Sequence, residues 1–146
     1  MRGGYTHPYI FRYLQRPNVT PIVTDPSRDD FNADDKVLPL RYYIQYHATY
    51  YRTNRLMIPW GGDFAYYFAH DEFKNLQKTI DYFNAKFDDI TLLYSTPSEY
   101  IDALKQQDVK WPVRYDDMFP YADDEHSYWT GFYTSRPQAK RQDRQT

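Results

Sequence analysis

The chain has 146 residues, enough for one domain with a hydrophobic core, and a formal net charge of -2. Such a small charge gives no strong attraction to nucleic acid or to an anionic membrane, so we expect neither as a partner. Cysteine is absent, which excludes an internal disulfide framework and cysteine-based metal sites. The sequence contains no apolar run of 18 residues and no hydrophobic signal core at its start, so we expect neither a membrane span nor a signal peptide in this chain.

The first part of the chain, residues 1–31, is predicted to be an irregular segment. Prolines recur through it, and each one removes a backbone donor and pushes the residue before it toward extended geometry. The prolines are Pro8, Pro17, Pro21 and Pro26.

Helices and short strands are predicted to alternate through residues 32–146. Apolar residues at helical spacing predict helices at about 33–50 and 71–87, with Pro39 favouring a late start or a kink in the first. A capping box at Thr96–Glu99 opens a third helix. Short apolar runs predict strands at 55–60 and 90–94, and an extended piece begins at Val113.

This order of elements predicts an α/β fold, in which parallel strands alternate with helices in right-handed βαβ units. The last residues, 140–144, are predicted to begin a helix just before the chain stops. The chain also starts abruptly, with Met1-Arg2-Gly3-Gly4, so we expect both ends to be cut.

An aromatic and acidic block follows at residues 116–123 (DDMFPYAD) and 128–137 (YWTGFYTSRP). Its pattern fits neither a helix nor a strand, so it favours a surface where a ligand lies. Sugars suit this mixture, because a pyranose ring stacks on Tyr or Trp while its hydroxyls need carboxylate and arginine partners. The alternative is that the many tyrosines are half-buried core residues that keep their hydroxyls in water.

The block resembles the catalytic domain of glycoside hydrolase family 38, the class II α-mannosidases. Four further motifs resemble the family in the same order, and the resemblance runs from about residue 25 to residue 141. These motifs are YRTN at 51–54, GGDF at 61–64, FKNL at 73–76 and LYSTPS at 93–98.

The resemblance implies a fold, a function and a location. The family's catalytic domain is a seven-stranded β/α barrel much longer than this chain, so residues 1–146 are expected to be a partial catalytic domain, the C-terminal portion of that barrel. The complete protein would be a zinc-dependent retaining α-mannosidase that acts on mannose-containing glycans, in the lysosome or another compartment of the secretory pathway.

Asp63 is the candidate catalytic residue. Retaining glycosidases use two carboxylates about 5–5.5 Å apart, one as the nucleophile and one as the general acid and then base. Asp63 follows a predicted strand and two glycines, which places it at the end of the barrel where active sites are built. The resemblance implies the acid/base role. The alternative is that Asp63 only caps a loop.

Trp129 is the candidate stacking platform for mannose, with Phe64 and Tyr121 as further substrate-binding residues. A buried core tryptophan is the alternative for Trp129. Asp117 and Asp123 are expected to hold the loop rather than sugar hydroxyls. A structural role in a buried ion pair is expected for Arg136.

The resemblance implies a zinc ion held by a His-x-Asp pair, the nucleophilic aspartate and a later His-His-Asp motif. None of these motifs occurs here, and the four histidines are scattered without ligand spacing. We therefore expect no metal ligand in this chain, and we expect the zinc ligands and the nucleophile in the full-length enzyme outside it.

Two functions remain open. In the first, the chain is a fragment of the mannosidase that contributes the acid/base and sugar-stacking residues and is inactive when isolated, with the missing remainder of the catalytic domain as its partner. In the second, it is a non-catalytic truncated or split gene product with a structural or glycan-contacting role. The alternating helices and strands disfavour a free-standing carbohydrate-binding module, because such modules are commonly all-β.

Overall fold

The computed structural model of the chain describes residues 20–145. The chain divides into two compact units, Met1–Val109 and Lys110–Thr146. Within residues 20–109, the first unit has three helices: α1 (Ala33–Ala48), α2 (Ala69–Lys86) and α3 (Pro97–Lys105). Residues 110–145 of the second unit form two short strands, β1 (Ala122–Asp124) and β2 (Ser127–Tyr128), and a helix α4 (Pro137–Asp143).

The core of the first unit lies between α1 and α2. Helix α1 buries apolar side chains three and four positions apart, which places them on one face. Phe83 of α2 and Ile22 from the segment before α1 complete the buried cluster, whose α1 members are Ala33, Val37, Leu40 and Ile44. The predicted helices at 33–50 and 71–87 are therefore confirmed to within two residues at each end, and α1 continues through Pro39.

Polar contacts join α1 to α2 at the edge of this core. The Asp34 carboxylate accepts hydrogen bonds from the Tyr82 hydroxyl at 2.6 Å and from the Lys86 ammonium at 2.5 Å. The bond from Lys86 has the larger effect and that from Tyr82 the next, and together they hold the pKa of Asp34 below its usual value. The bond to Asp34 is also the main reason that the pKa of Tyr82 rises to about 12. The contact is therefore charge-assisted and sensitive to pH at both extremes.

Residues 20–31 contain neither helix nor strand, and the rest of the predicted irregular segment lies outside the described residues. Side-chain amides hold this stretch in place. The Ile22 amide donates to Asn75 of α2 at 3.0 Å, and the Val23 amide donates to Asn32 at 2.9 Å. The segment therefore packs on α2 although it has no regular structure of its own.

Helix α3 begins with the predicted capping box. The Thr96 hydroxyl accepts from the Glu99 amide at 3.2 Å, while the Glu99 carboxylate accepts from the Thr96 amide at 2.7 Å. Two amides that an isolated helix would leave unbonded are thus satisfied.

The predicted strands at 55–60 and 90–94 are wrong, since neither stretch belongs to a sheet. Alternate residues in both stretches do pack against the core, namely Leu56, Ile58, Trp60, Ile90 and Leu92. This burial has the period of two that a strand would have. A strand also requires a neighbouring backbone to bond to, and here the backbone bonds to side chains instead.

Asn84 of α2 provides the clearest of these bonds. Its side-chain oxygen accepts from the Leu92 amide and its side-chain nitrogen donates to the Leu92 carbonyl, both at 2.8 Å. In the other stretch, the Tyr51 hydroxyl donates to the Met57 carbonyl at 3.3 Å. One amide side chain thus occupies the place that a partner strand would take.

Among residues 20–145, the one sheet is the antiparallel pair of β1 and β2 in the second unit. Helices are the main regular elements. The predicted parallel sheet, and with it the assignment to a portion of a β/α barrel, is therefore wrong for this structure.

The helix predicted near the end of the chain is confirmed as α4, which starts at Pro137, three residues earlier than expected. Proline is suited to the first helical position because its missing N–H would be unbonded there anyway. No helix in residues 20–145 combines the length and the apolar character that crossing a bilayer requires.

Candidate active site

Asp63 lies on an exposed turn between the 55–60 stretch and α2. The turn is closed by backbone bonds from the Ala65 amide to the Gly62 carbonyl at 3.1 Å and from the Tyr67 amide to the Phe64 carbonyl at 3.3 Å. Ala65 is buried and anchors the turn to the first unit. The Asp63 carboxylate is therefore exposed, and the backbone that follows it is held in place at Ala65.

The backbone around Asp63 departs from ordinary geometry on both sides. Gly61 and Gly62 have φ of 156° and 149°, and Phe64 has φ of 60°. Phenylalanine rarely adopts a left-handed conformation. Phe64 is 86% exposed, so packing of its ring does not explain this conformation. Strained backbone of this kind is concentrated at functional sites.

Tyr66 contacts the chain on the other side of the turn. Its hydroxyl donates to the Trp60 carbonyl at 2.5 Å, and its ring stacks on Phe73 of α2 at 5.2 Å between centroids. A Cβ added at Gly61 would lie 3.1 Å from the Tyr66 ring. The residue before the glycines is therefore tied to a residue after Asp63.

Tyr121 and Trp129 lie together in the second unit. Their ring centroids are 5.9 Å apart, and the Trp129 amide donates to the Tyr121 carbonyl at 2.9 Å. Both side chains are more than two fifths exposed within the described residues, so neither is a buried core residue there.

These two rings belong to a larger aromatic row. Trp129 contacts Phe132 at 5.1 Å, Phe132 contacts Tyr133 at 5.2 Å, and Tyr133 contacts Phe119 at 5.4 Å, all edge to face. Phe119, Phe132 and Tyr133 were not among the predicted site residues. Their position in the aromatic and acidic block was the only indication in the sequence. The contacts between the rings depend on a chain reversal that the spacing of aromatic residues along the sequence does not reveal.

Asp123 holds Trp129 in place. Hydrogen bonds from the side chains of Ser127 and Trp129 keep the pKa of Asp123 below its usual value. Asp117 accepts from the Phe119 amide at 3.0 Å. Both carboxylates therefore support the loop, as expected.

Arg136 differs from expectation. It is exposed, and it sits at the N-cap of α4 with φ of 54°. The predicted buried ion pair is therefore wrong, because the residue lies at the surface.

The described residues do not fit a zinc ion. Within residues 20–145, no three side chains of His, Asp or Glu come close enough to hold a metal. His126 and Glu125 are adjacent on an exposed turn, 3.6 Å apart, and His70 lies in the first turn of α2. No chemistry of these residues is therefore assigned to a bound metal.

The structure thus places the predicted residues in two groups. Asp63 and Phe64 are neighbours on the turn of the first unit, and Tyr121 and Trp129 are in contact in the second. Tyr66 was missed, because the run Ala65-Tyr66-Tyr67-Phe68 does not indicate which tyrosine faces inward.

The chain is similar to known proteins over most of its length. The family model described as glycosyl hydrolases family 38 N-terminal domain matches residues 5–124. The lysosomal α-mannosidase of Dictyostelium discoideum is 44% identical over 96% of this chain, and the human lysosomal α-mannosidase is 41% identical over 85%. An α-mannosidase of Canavalia ensiformis is 40% identical over 92%.

The chain spans 13–14% of the length of these relatives. The matching model is the N-terminal domain of the family, which overturns the expectation of a C-terminal portion of its barrel. The match includes the Asp63 turn and Tyr121, and the relatives agree with the resemblance drawn from the motifs. The chain belongs to glycosyl hydrolase family 38.

Proposed function

We propose that the chain is part of an α-mannosidase, a glycosidase that removes terminal α-linked mannose from glycans. The names of the relatives support the activity, and two of them are described as lysosomal, which supports the lysosome as the compartment. The observation that carries the proposal is the turn at Asp63, because a family member presents an exposed carboxylate there on a backbone with left-handed residues on both sides.

Asp63 acts in this proposal as the general acid and then the general base of a retaining reaction. In the first step its proton passes to the glycosidic oxygen as the bond to the anomeric carbon breaks, while a second carboxylate attacks that carbon. In the second step ionised Asp63 takes a proton from water, whose oxygen displaces the second carboxylate. The nucleophile and the zinc ligands lie outside this chain in the complete enzyme.

The turn suits an acid/base group for a physical reason. Proton transfer requires the carboxyl group to lie within hydrogen-bonding distance of the leaving oxygen, so its backbone must be placed accurately. A turn that is anchored by buried Ala65 and closed by the bond from the Ala65 amide to the Gly62 carbonyl supplies such a placement. Phe64 follows directly with an exposed ring, which suits the wall of a sugar subsite.

Trp129 and Tyr121 are proposed to supply stacking surface for a sugar. Aromatic faces are favourable partners for the C–H face of a pyranose. Their exposure and the Asp123 hydrogen bond that fixes the Trp129 side chain support this role, because a held ring loses little rotational freedom when a ligand binds.

Replacing Asp63 by asparagine in the complete mannosidase tests the proposal. The amide keeps the shape of the side chain but cannot donate an acidic proton, so kcat is expected to fall by at least about a hundredfold. The loss should be greatest for aryl mannosides with poor leaving groups, because those need protonation most.

Asp108→Asn is the matched control, since it changes another exposed aspartate, which follows α3. It should leave kcat unchanged. Circular dichroism checks that both variants are folded. If folded Asp63→Asn then turns over within a few-fold of the unmodified enzyme, Asp63 is not part of the mechanism.

A further inference from the structure

We propose that Tyr66 is a positioning residue that sets the location of the Asp63 carboxyl group by closing the chain over residues 61–65. This inference rests on the proposed acid/base role of Asp63. Three contacts of the tyrosine side chain carry it, and each involves a different part of that side chain.

The first contact is a hydrogen bond across the turn. The Tyr66 hydroxyl donates to the Trp60 carbonyl at 2.5 Å, so a side chain from beyond Asp63 holds the backbone just before the two glycines. Six positions separate the bonded residues, and Asp63 lies in the middle. Because the bond ends on backbone, it acts on the course of the chain itself.

The second contact explains the glycine at position 61. The Tyr66 ring packs close to position 61, since a Cβ there would lie 3.1 Å from ring atom Cε2, tighter than an ordinary van der Waals contact. Gly61 is buried and has φ of 156°. The ring therefore leaves little room for a side chain at this position.

The third contact joins this assembly to a helix. The Tyr66 ring stacks on Phe73 of α2 with 28° between the ring planes. Burial, followed by the charges of Glu72 and Tyr94, raises the pKa of Tyr66, so its hydroxyl keeps its proton under neutral and acidic conditions. The Tyr66 hydroxyl can therefore donate its hydrogen bond to the Trp60 carbonyl at acidic, lysosomal pH and at neutral pH.

These contacts have a consequence for Asp63. Residues 61 and 62 are both glycine, the residue type with the greatest backbone freedom, so the N-terminal side of the turn would not hold its shape alone. The Tyr66 hydrogen bond to the Trp60 carbonyl restrains this side of the turn. Displacement of a catalytic group by about 1 Å can cost on the order of a hundredfold in rate, so loss of this restraint should be measurable.

The test uses Tyr66→Phe, which removes only the hydroxyl and keeps both ring contacts. Tyr67→Phe is the matched control, because the neighbouring tyrosine is 79% exposed. In the 146-residue chain, amide hydrogen exchange of Ala65 and Tyr67 is followed by NMR. Exchange at both amides should quicken about tenfold in Tyr66→Phe and stay unchanged in Tyr67→Phe.

A second measurement uses the complete mannosidase and two aryl mannosides, one with a poor and one with a good leaving group. Tyr66→Phe should lower kcat for the poor leaving group by roughly tenfold to a hundredfold, with KM unchanged, and should barely affect the good one. A purely structural role would lower both rates together through loss of folded enzyme.

The outcomes separate this inference from the proposed function. Unchanged exchange in Tyr66→Phe overturns the inference, and so does an equal loss of rate on both substrates. If Asp63→Asn abolishes turnover while Tyr66→Phe has no effect on kcat, the acid/base role stands and the positioning role fails. If Asp63→Asn keeps full turnover, the acid/base role fails, and the positioning role fails with it.

Discussion

The left-handed conformation of Phe64 leads to an unusual prediction, that replacing this residue by glycine stabilises the protein. A left-handed backbone costs an ordinary residue about 1–2 kcal/mol, and glycine escapes that cost. Glycine also loses more backbone freedom on folding, which costs about 0.5–1 kcal/mol. Because the Phe64 ring is 86% exposed, little buried surface is lost. The balance is a stabilisation of about 0.5 kcal/mol.

Phe68→Gly provides the matched control four residues along. Its φ is -109°, so glycine relieves no strain there, and its side chain is 57% exposed, so more packing is lost. We expect a destabilisation of about 1–2 kcal/mol. The free energies of unfolding of the two variants should therefore differ by about 2 kcal/mol.

Urea unfolding of the 146-residue chain measures this difference. Trp60 is the single tryptophan of the first unit, so its fluorescence reports on that unit alone once Trp111 and Trp129 are replaced by phenylalanine. The midpoint and slope of the transition give the free energy. A Phe64→Gly variant destabilised as much as Phe68→Gly would refute the left-handed turn, and with it the restrained backbone on which the role of Asp63 depends.

Two further predictions concern the α1–α2 contact and the second unit. The folded pKa of Tyr82 is raised to about 12, so its contribution to stability is present below about pH 10 and is lost as the pH rises toward 12. Asp34→Asn should lower that pKa toward 10, which NMR of 13C-labelled tyrosine can follow, and an unchanged titration would contradict the Asp34 hydrogen bond. Gly131→Ala should destabilise the second unit by about 1 kcal/mol or more, because φ is 79° and the new Cβ would lie 3.2 Å from the Ser135 hydroxyl. Trp129 fluorescence during urea unfolding, in a background where Trp60 and Trp111 are phenylalanine, measures this loss, and equal stability would argue against the left-handed conformation.

The helices could be predicted because their signals are local. The spacing of Val37, Leu40 and Ile44 requires one buried face, and the Thr96–Glu99 pair forms a cap from residues three positions apart. Both are properties of neighbouring residues on one chain. The three helices α1, α2 and α3 of the first unit form where these local signals predict them.

The strands could not be predicted, because a strand is a relation between two backbones. Alternate burial along residues 55–60 and 90–94 is compatible with a sheet and equally with an extended stretch bonded to side chains. Asn84 decides between them in the second stretch, and its position in the last turn of α2 gives no hint of that contact.

The candidate site was partly predictable for a similar reason. Asp63, Phe64, Tyr121 and Trp129 carry recognisable motifs, so their identity followed from short runs of residues. The role of Tyr66 depends on which way one of two adjacent tyrosines turns, and the aromatic row depends on how the chain reverses between β1 and β2. Sequence spacing contains neither fact.

The paired hydrogen bonds of Asn84 also make the protein vulnerable to chemical ageing. Deamidation would convert this asparagine into aspartate, which retains the acceptor for the Leu92 amide but replaces the donor to the Leu92 carbonyl with a second oxygen. Two oxygens would then face each other at 2.8 Å, and an attraction would become a repulsion. Deamidation of Asn84 alone would thereby release residues 90–94, which belong to no sheet among the described residues.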